Sequence, residues 1–293
     1  MKLKKVFPIV AMLLIVLMAG CKKVEYTDLI PAVTSPDPLN NVTGVPPNKK
    51  GNGKIKQQFT FVWISDMHVG DAAWQAGEID AEVAAINSKN ADFVLSSGDQ
   101  IHITGDQTET DSYNAAMSVL TMPLYTLRGN HDGSQFTQHF IVDILNVRLI
   151  AFYASYVGLY SPTDPYYNTG LVSSEELTWI ETQLQSAGNK RCILICHYPL
   201  SSSFWGYIQP GYGAEEIIAL CNLYGVKLFL SGHSHDGLQS YVVDADIINI
   251  DAYAMVGAGK FMVCTVYSDR IVINPYNGTA PFAPTTPVQT VYF

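Results

Sequence analysis

The sequence predicts an α/β fold, and three observations predict it. From Phe59 onward, short apolar runs rich in β-branched and aromatic residues alternate with segments whose apolar residues recur at helical spacing. Five of those runs stop at turn residues and pass directly into Asp, Asn or His, the pattern expected where the carboxyl ends of sheet strands gather ligands. Beyond His235 the helical pattern ceases and strand-like runs follow one another, so the α/β layers should be completed by antiparallel strands.

In chain order, residues 1–20 come first and belong to no domain. "MKLKK" followed by the apolar stretch from Val6 to Met18 reads as an export signal. It is too short for a membrane span, which takes about 20 residues. "LMAGC", Leu17 to Cys21, resembles the lipobox of bacterial lipoproteins, although Met18 stands where Leu is commoner. That resemblance implies cleavage before Cys21 and its lipidation, an anchor in the cell envelope and the chain's one expected membrane contact, held by several acyl chains. The alternative is an ordinary signal peptide cut near Ala19, with Cys21 incidental. Residues 21–57 carry Pro31, Pro36, Pro38, Pro46 and Pro47 and no sustained apolar period, and read as a tether. Residues 58–293 read as one domain.

Within that domain "FTFVWIS" (59–65), "ADFVLSS" (91–97), "PLYTLR" (123–128), "RCILIC" (191–196) and "VKLFLS" (226–231) read as buried strands. "GEIDAEVAAINSKN" (77–90) and "SYNAAMSVL" (112–120) have helical spacing. "SSEELTWIETQLQSAG" (173–188) looks like a capped helix, with Ser173 or Ser174 at its start, acids in the first turn and Gly188 at its stop; residues 213–225 repeat the arrangement with Gly225. "SYVVDADIINI" (240–250), "KFMVCTVY" (260–267) and "RIVINPY" (270–276) read as strands, and a Pro- and Thr-rich tail from Thr279 ends in "VQTVYF". Trp63, Met67 and Trp179 read as core.

Charge and cysteines narrow the class. Without residues 1–20 the chain keeps 14 basic against 26 acidic residues, a net charge of −12. Such a surface repels long nucleic acids, whose binding depends on neutralising phosphates. Cys192 and Cys196 would stand about 13 Å apart in a strand, beyond disulfide reach. With Cys221 and Cys264 they read as buried thiols, without the spacing of a metal finger.

The residues after each strand carry the chemistry. They are Asp66-Met67-His68, Gly98-Asp99, Gly129-Asn130-His131-Asp132, His197, and Gly232-His233-Ser234-His235. Five of seven histidines stand at these exits, so the bland reading of each one alone, a turn, cap or surface His, does not account for the set. In extended backbone, residues two apart point the same way, which would let Asp66 and His68, and His233 and His235, each present two ligands to one side. Gly98, Gly129 and Gly232 permit tight turns and close approach of backbone to an ion.

This ordered series, over residues 66–235, resembles the calcineurin-like metallophosphoesterases. The resemblance implies a four-layer α-β-β-α sandwich, with two mixed central sheets flanked by helices, and a site for two divalent metal ions. Matched position by position, it implies that Asp66, His68, Asp99 and His235 hold one ion and Asp99, Asn130, His197 and His233 the other. Mn, Fe, Zn and Co all suit such mixed imidazole and oxygen donors. The chemistry implied is attack on a phosphate ester by a bridging hydroxide, since two cations lower the pKa of water held between them. His131 matches the general acid that protonates the leaving group; the alternative is that it only hydrogen-bonds nearby carboxylates. Asp132 would then orient a neighbour.

The sequence also departs from the family's pattern. After Asp99 it reads Gln100-Ile101-His102 where protein phosphatases continue toward an Asp-Arg pair and purple acid phosphatases place a tyrosine ligand. His102 would contact substrate or line the rim. Arg128, where the family often has Pro, would pair with phosphate or with an acid nearby. Phe204, Trp205, Tyr207 and Tyr212 would border the pocket, where aromatics can stack on a base or aryl group; as a hydrophobic lid or packing loop they would do neither. The expected function is hydrolysis of a small phosphoester, first a phosphodiester of nucleotide or lipid origin, with monoesters as the alternative. A surface binding protein without catalysis is the reading of another class.

Overall fold

A computed structural model of the chain describes residues 56–157, 168–257, 259–278, 280–281 and 289–293. The expected signal, Cys21 and the tether up to residue 55 lie outside the described residues.

Two sheets are stacked. The first joins β1 (Gln57–Ile64), β2 (Phe93–Ser96), β3 (Leu124–Thr126), β12 (Lys260–Tyr267), β13 (Arg270–Asn277), β14 (Ala280–Pro281) and β15 (Gln289–Tyr292). Its order is β14-β13-β12-β1-β2-β3, with β15 also on β13. β1, β2 and β3 run parallel, while β12 lies antiparallel to β1. The second sheet joins β4 (Phe140–Ile144), β5 (Val147–Ala151), β8 (Arg191–Ile195), β9 (Leu228–Ser231), β10 (Gln239–Asp244) and β11 (Ile247–Asp251) in the order β10-β11-β9-β8-β5-β4. β5, β8, β9 and β11 are parallel. β6 (Ser155–Val157) and β7 (Thr169–Leu171) pair antiparallel as a separate two-stranded sheet.

Period-two alternation builds the layers. Phe61, Trp63 and Leu95 face Leu149, Ile193, Ile195 and Leu230 in the core between the sheets. On the outer face of the first sheet Val62, Ile64 and Val94 pack against α1 (Glu78–Asn87) and α2 (Gln107–Met117) through Val83, Ile86 and Tyr113. Ile150, Leu194 and Phe229 pack against α3 (Ser174–Ser186) and α4 (Ala214–Tyr224) on the outer face of the second. The result is the α-β-β-α sandwich that the family resemblance implies. None of the described helices is long and apolar enough to cross a membrane.

Ser173 caps α3 by accepting from Glu176 N, and Gly225 ends α4 at φ 70°. α2 begins at Gln107, five residues before the expected start, because Asp106 caps it while its first turns are polar and show no apolar period. β3 is half-buried rather than buried, since it forms the edge of its sheet. Residues 240–250 are a hairpin that turns at Ala245, φ 44°, and the C-terminal "VQTVYF" supplies β15 on β13. β4 and β5 have no counterpart in the expected strands: Asp143 and Arg148 interrupt their apolar pattern. The structure pairs those two across the hairpin in a 2.6 Å ion pair. Trp63 and Met67 are core, whereas Trp179 is half-buried and stacks on His139 at 4.3 Å. All four described cysteines are free, Cys192 half-buried and the others buried.

Candidate metal centre

The parallel runs β1-β2-β3 and β8-β9 end at one edge of the sandwich, where backbone bonds lace their exits together. Asp66 N donates to Gly98 O at 2.9 Å, His68 N to Asp99 O at 3.0 Å, and Gly232 N to His197 O at 2.9 Å. The exits are not extended. Asp66, His68, Asp99, His233 and His235 all have positive φ, between 44° and 76°. The period-two argument for their shared direction is therefore corrected: left-handed turns aim these side chains. Gly98 and Gly129 permit the closeness, since a Cβ at Gly98 would lie 2.4 Å from His197 Nδ1 and one at Gly129 2.2 Å from Asp99 Oδ1.

The side chains form two adjoining groups of potential ligands, Asp66 with His68 and His235, and Asp99 with His197 and His233. In the first, His235 Nε2 is 3.1 Å from Asp66 Oδ1 and 3.3 Å from His68 Nε2. In the second, His197 Nε2 is 3.3 Å from Asp99 Oδ2 and from His233 Nδ1, and 2.9 Å from Asn130 Oδ1. Asp99 Oδ2 belongs to both, because it also lies 3.5 Å from His68 Nε2.

The donor set fits cations. His197 Nδ1 faces the Ser97 carbonyl at 3.1 Å and His233 Nε2 the Asn168 carbonyl at 3.1 Å, so both nitrogens must donate. The remaining nitrogens, His197 Nε2 and His233 Nδ1, then face each other as lone pairs among carboxylate oxygens, an arrangement that only a proton or a metal ion relieves. Without metal a proton does so. Burial works to lower His197, but the charge and hydrogen bond of Asp99, together with the charges of Asp66 and Asp132, outweigh it and raise the ring to about 9. His233 is driven down to about 3 by burial and by the neighbouring His197. Burial likewise works to raise Asp99 and Asp66, yet the surrounding imidazoles hold both carboxyls well below the usual range. His68 is lowered by burial, and its Nδ1 is buried with no hydrogen-bond partner among the described residues.

A cavity of about 250 Å³ opens over these groups, lined by His68, Asp99, Asn130, His131, His233 and His235 and also by Asn168, Trp205 and Ser234. His131 Nδ1 bonds the His102 carbonyl at 2.6 Å, and its backbone N–H donates to Asp99 Oδ1 at 2.8 Å. Ring nitrogens of His68, His102 and His131 also approach within 4.8 Å of one another. Trp205 is 50% exposed and stacks flat on His233, 5.2 Å between centroids.

Other expected site residues lie elsewhere. Asp132 is buried and faces away from the cavity, accepting from Gln100 N, Ile101 N and Gly129 N at 2.8, 3.3 and 2.8 Å. It ties the second strand exit to the third, and burial with the nearby Asp99 charge raises its carboxyl to about 7. Arg128 lines a separate cavity with Phe136 and His139; its Nε donates to Asp132 O, its guanidinium lies over Tyr153, and no described carboxylate pairs with it. The side chain of His102 is outside the lining, with Nδ1 3.3 Å from Asp71 Oδ2. Of the loop aromatics only Trp205 reaches the cavity: Phe204 is buried against Tyr241, Tyr212 packs on the outer core, and Tyr207 offers its carbonyl to Thr169 Oγ1. Asn168 escaped the sequence reading because it follows no strand exit and meets His233 through a backbone carbonyl. Ser234 stood in the quoted exit, but nothing marked a serine there as part of a site.

Comparisons with known proteins identify the family and the fold. The family described as calcineurin-like phosphoesterase matches residues 59–237. Human tartrate-resistant acid phosphatase type 5 is 27% identical over 225 residues, which is 64% of this chain and 66% of that protein. The chain thus spans slightly less than two thirds of that relative's length. A protein of Arcobacter nitrofigilis named "Probable glycerophosphodiester phosphodiesterase GpdQ" is 24% identical, over 59% of this chain and 71% of its own. Among solved structures, a dimetal phosphatase from Danio rerio superposes with a TM-score of 0.63 at 15% identity, covering 81% of this chain and all of its own. A purple acid phosphatase from yellow lupin seeds gives 0.59 at 14%, covering 80% of this chain and 53% of its own. At such identities these structures speak for the fold alone.

Proposed function

Because this chain belongs to the calcineurin-like phosphoesterase family, we propose that it hydrolyses phosphate esters with two divalent cations. The observation that carries this reading is the place of Asp99 Oδ2, within 3.5 Å of His68 Nε2 and 3.3 Å of His197 Nε2. One carboxylate oxygen there serves both ligand groups, Asp66, His68 and His235 on one side and Asn130, His197 and His233 on the other. Cations in such a pair lower the pKa of water, polarise phosphoryl oxygens and offset charge in an in-line displacement. The chain's own residues do the rest. Asn168 and Ser97 fix the tautomers of His233 and His197 through their carbonyls. Hydrolysis breaks the bond from phosphorus to the leaving oxygen, which must gain a proton. His131, its Nδ1–H on the His102 carbonyl, supplies one from Nε2 as the imidazolium.

Phosphodiesters are the favoured class. No Lys or Arg is among the described residues lining the cavity, so the chain offers no permanent cation to offset the second charge of a monoester. The printed name of the Arcobacter relative points the same way. Monoesters are the second reading, on the likeness to tartrate-resistant acid phosphatases. Trp205 offers its indole face to an aryl or nucleobase substituent. The −12 charge of residues 21–293 disfavours long nucleic acids. Export and anchoring through Cys21 would place the reaction in the cell envelope.

The test is turnover of bis(p-nitrophenyl) phosphate and p-nitrophenyl phosphate after chelation and after Mn or Zn is restored. Metal-dependent hydrolysis that disappears in Asp99→Ala is expected. No turnover of either ester with metal restored would overturn the proposal in favour of a binding protein on the same fold.

A further inference from the structure

β11 reads Ile247-Ile248-Asn249-Ile250-Asp251, and all five residues are buried. Ile248 and Ile250 face the core between the sheets, which leaves Asn249 and Asp251 together on the opposite face. Both are fully buried, and neither pairs with a cationic side chain among the described residues. For stability alone, apolar residues of similar size would serve as well at such positions.

Apart from a long bond from Asn249 Nδ2 to the Phe229 carbonyl at 3.4 Å, their side-chain hydrogen bonds lead toward the candidate site. Asn249 Oδ1 accepts from Leu200 N at 2.7 Å and Ser201 N at 3.0 Å, in the loop that leaves His197 and carries Trp205. Asn249 Nδ2 donates to Ser231 Oγ at 2.9 Å, and Ser231 Oγ donates to Asp251 Oδ1 at 2.6 Å. Asp251 Oδ2 accepts from Ser234 Oγ, which stands between His233 and His235 and itself accepts from Asp236 N at 3.2 Å. Every link is a buried group with a partner, and the chain begins in one ligand-bearing loop and ends in the other.

We propose that Asn249 and Asp251 are positioning residues: their chain of hydrogen bonds sets the distance between the His197 loop and the His233–His235 loop, and with it the affinity of the metal site between them. This rests on the two-cation reading proposed above. Residues that orient ligands from behind typically contribute about 10- to 100-fold to metal affinity.

The experiment is calorimetric titration of the metal-stripped full chain with Mn²⁺, alongside circular dichroism of each variant. Asn249→Leu keeps the volume and removes both the acceptor and the donor; the affinity of one of two sites should fall about 10- to 100-fold. Asn249→Asp, isosteric and able when protonated to accept and donate at the same points, should stay within about threefold of wild type. Ser231→Ala cuts the same chain at its middle and should behave like Asn249→Leu, which keeps the question open to test if the leucine variant does not fold. A purely structural role would lower the melting temperature without moving the affinity. Two Mn²⁺ bound with wild-type affinities in folded Asn249→Leu or Ser231→Ala overturns this inference alone. A wild-type chain that binds no Mn²⁺ overturns the two-cation reading and this inference with it.

Discussion

His131 Nδ1 lies 2.6 Å from the carbonyl oxygen of His102, so Nδ1 keeps its proton on that carbonyl and Nε2 is the nitrogen that can give one up in the cavity. His131→Ala should lower kcat by about 10²- to 10⁴-fold for an alkyl diester, whose alkoxide leaves poorly without a proton. For p-nitrophenyl esters, whose leaving group needs little protonation, the loss should be smaller. Comparing the two substrates in the same variant checks the assignment; equal losses would instead make His131 a residue of binding or structure.

Metal uptake should release protons. In the metal-free protein His197 titrates near 9 and is protonated at pH 7, whereas His233, near 3, is already neutral. A cation must displace the His197 proton, so affinity should rise by up to about tenfold per pH unit below pH 9. Calorimetry in buffers of differing ionisation enthalpy should show at least one proton released per chain at pH 7. Affinity that does not change between pH 6 and 8 would contradict it.

Gly98→Ala tests how tightly the exits are packed. At φ 125° the added Cβ would sit 2.4 Å from His197 Nδ1 and 2.7 Å from Cγ. Backbone strain and overpacking together should cost about 2–4 kcal/mol, with loss of hydrolysis. Urea midpoints and turnover measure both, and a variant indistinguishable from wild type would show that the His197 ring moves aside freely.

Asp132→Asn should weaken the fold rather than the chemistry. Three backbone N–H groups point at its two oxygens, and an amide would set its own donor against at least one of them. The expected loss is about 1–3 kcal/mol, read as a lower melting temperature in metal-free protein. Unchanged melting with reduced kcat would return Asp132 to the chemistry.

The seven candidate ligands were legible because they are chemically conspicuous and stand where apolar runs stop. The two-sheet order was not legible, since pairing between β1 and β12 or β8 and β5 joins segments far apart in sequence. Polar residues inside strands misled in one place, where Asp143 and Arg148 hid β4 and β5; Asn249 lay within the expected strand 240–250 and Asp251 one residue beyond its end. Arg128 and Tyr207 show the opposite limit. Each stands in sequence near a ligand, but adjacent residues leave the backbone in different directions, and only Trp205 of its loop turns toward the cavity.

The left-handed turns at Asp66, His68, Asp99, His233 and His235 carry a wider consequence. Each costs about 1 kcal/mol that a glycine would not. Glycine would relieve that strain, but at Asp66 and Asp99 it would also strip the carboxylates that accept from the His233 and His131 N–H groups. The bent main chain and the side chains it aims are thus held by one another, so neither can drift without the other.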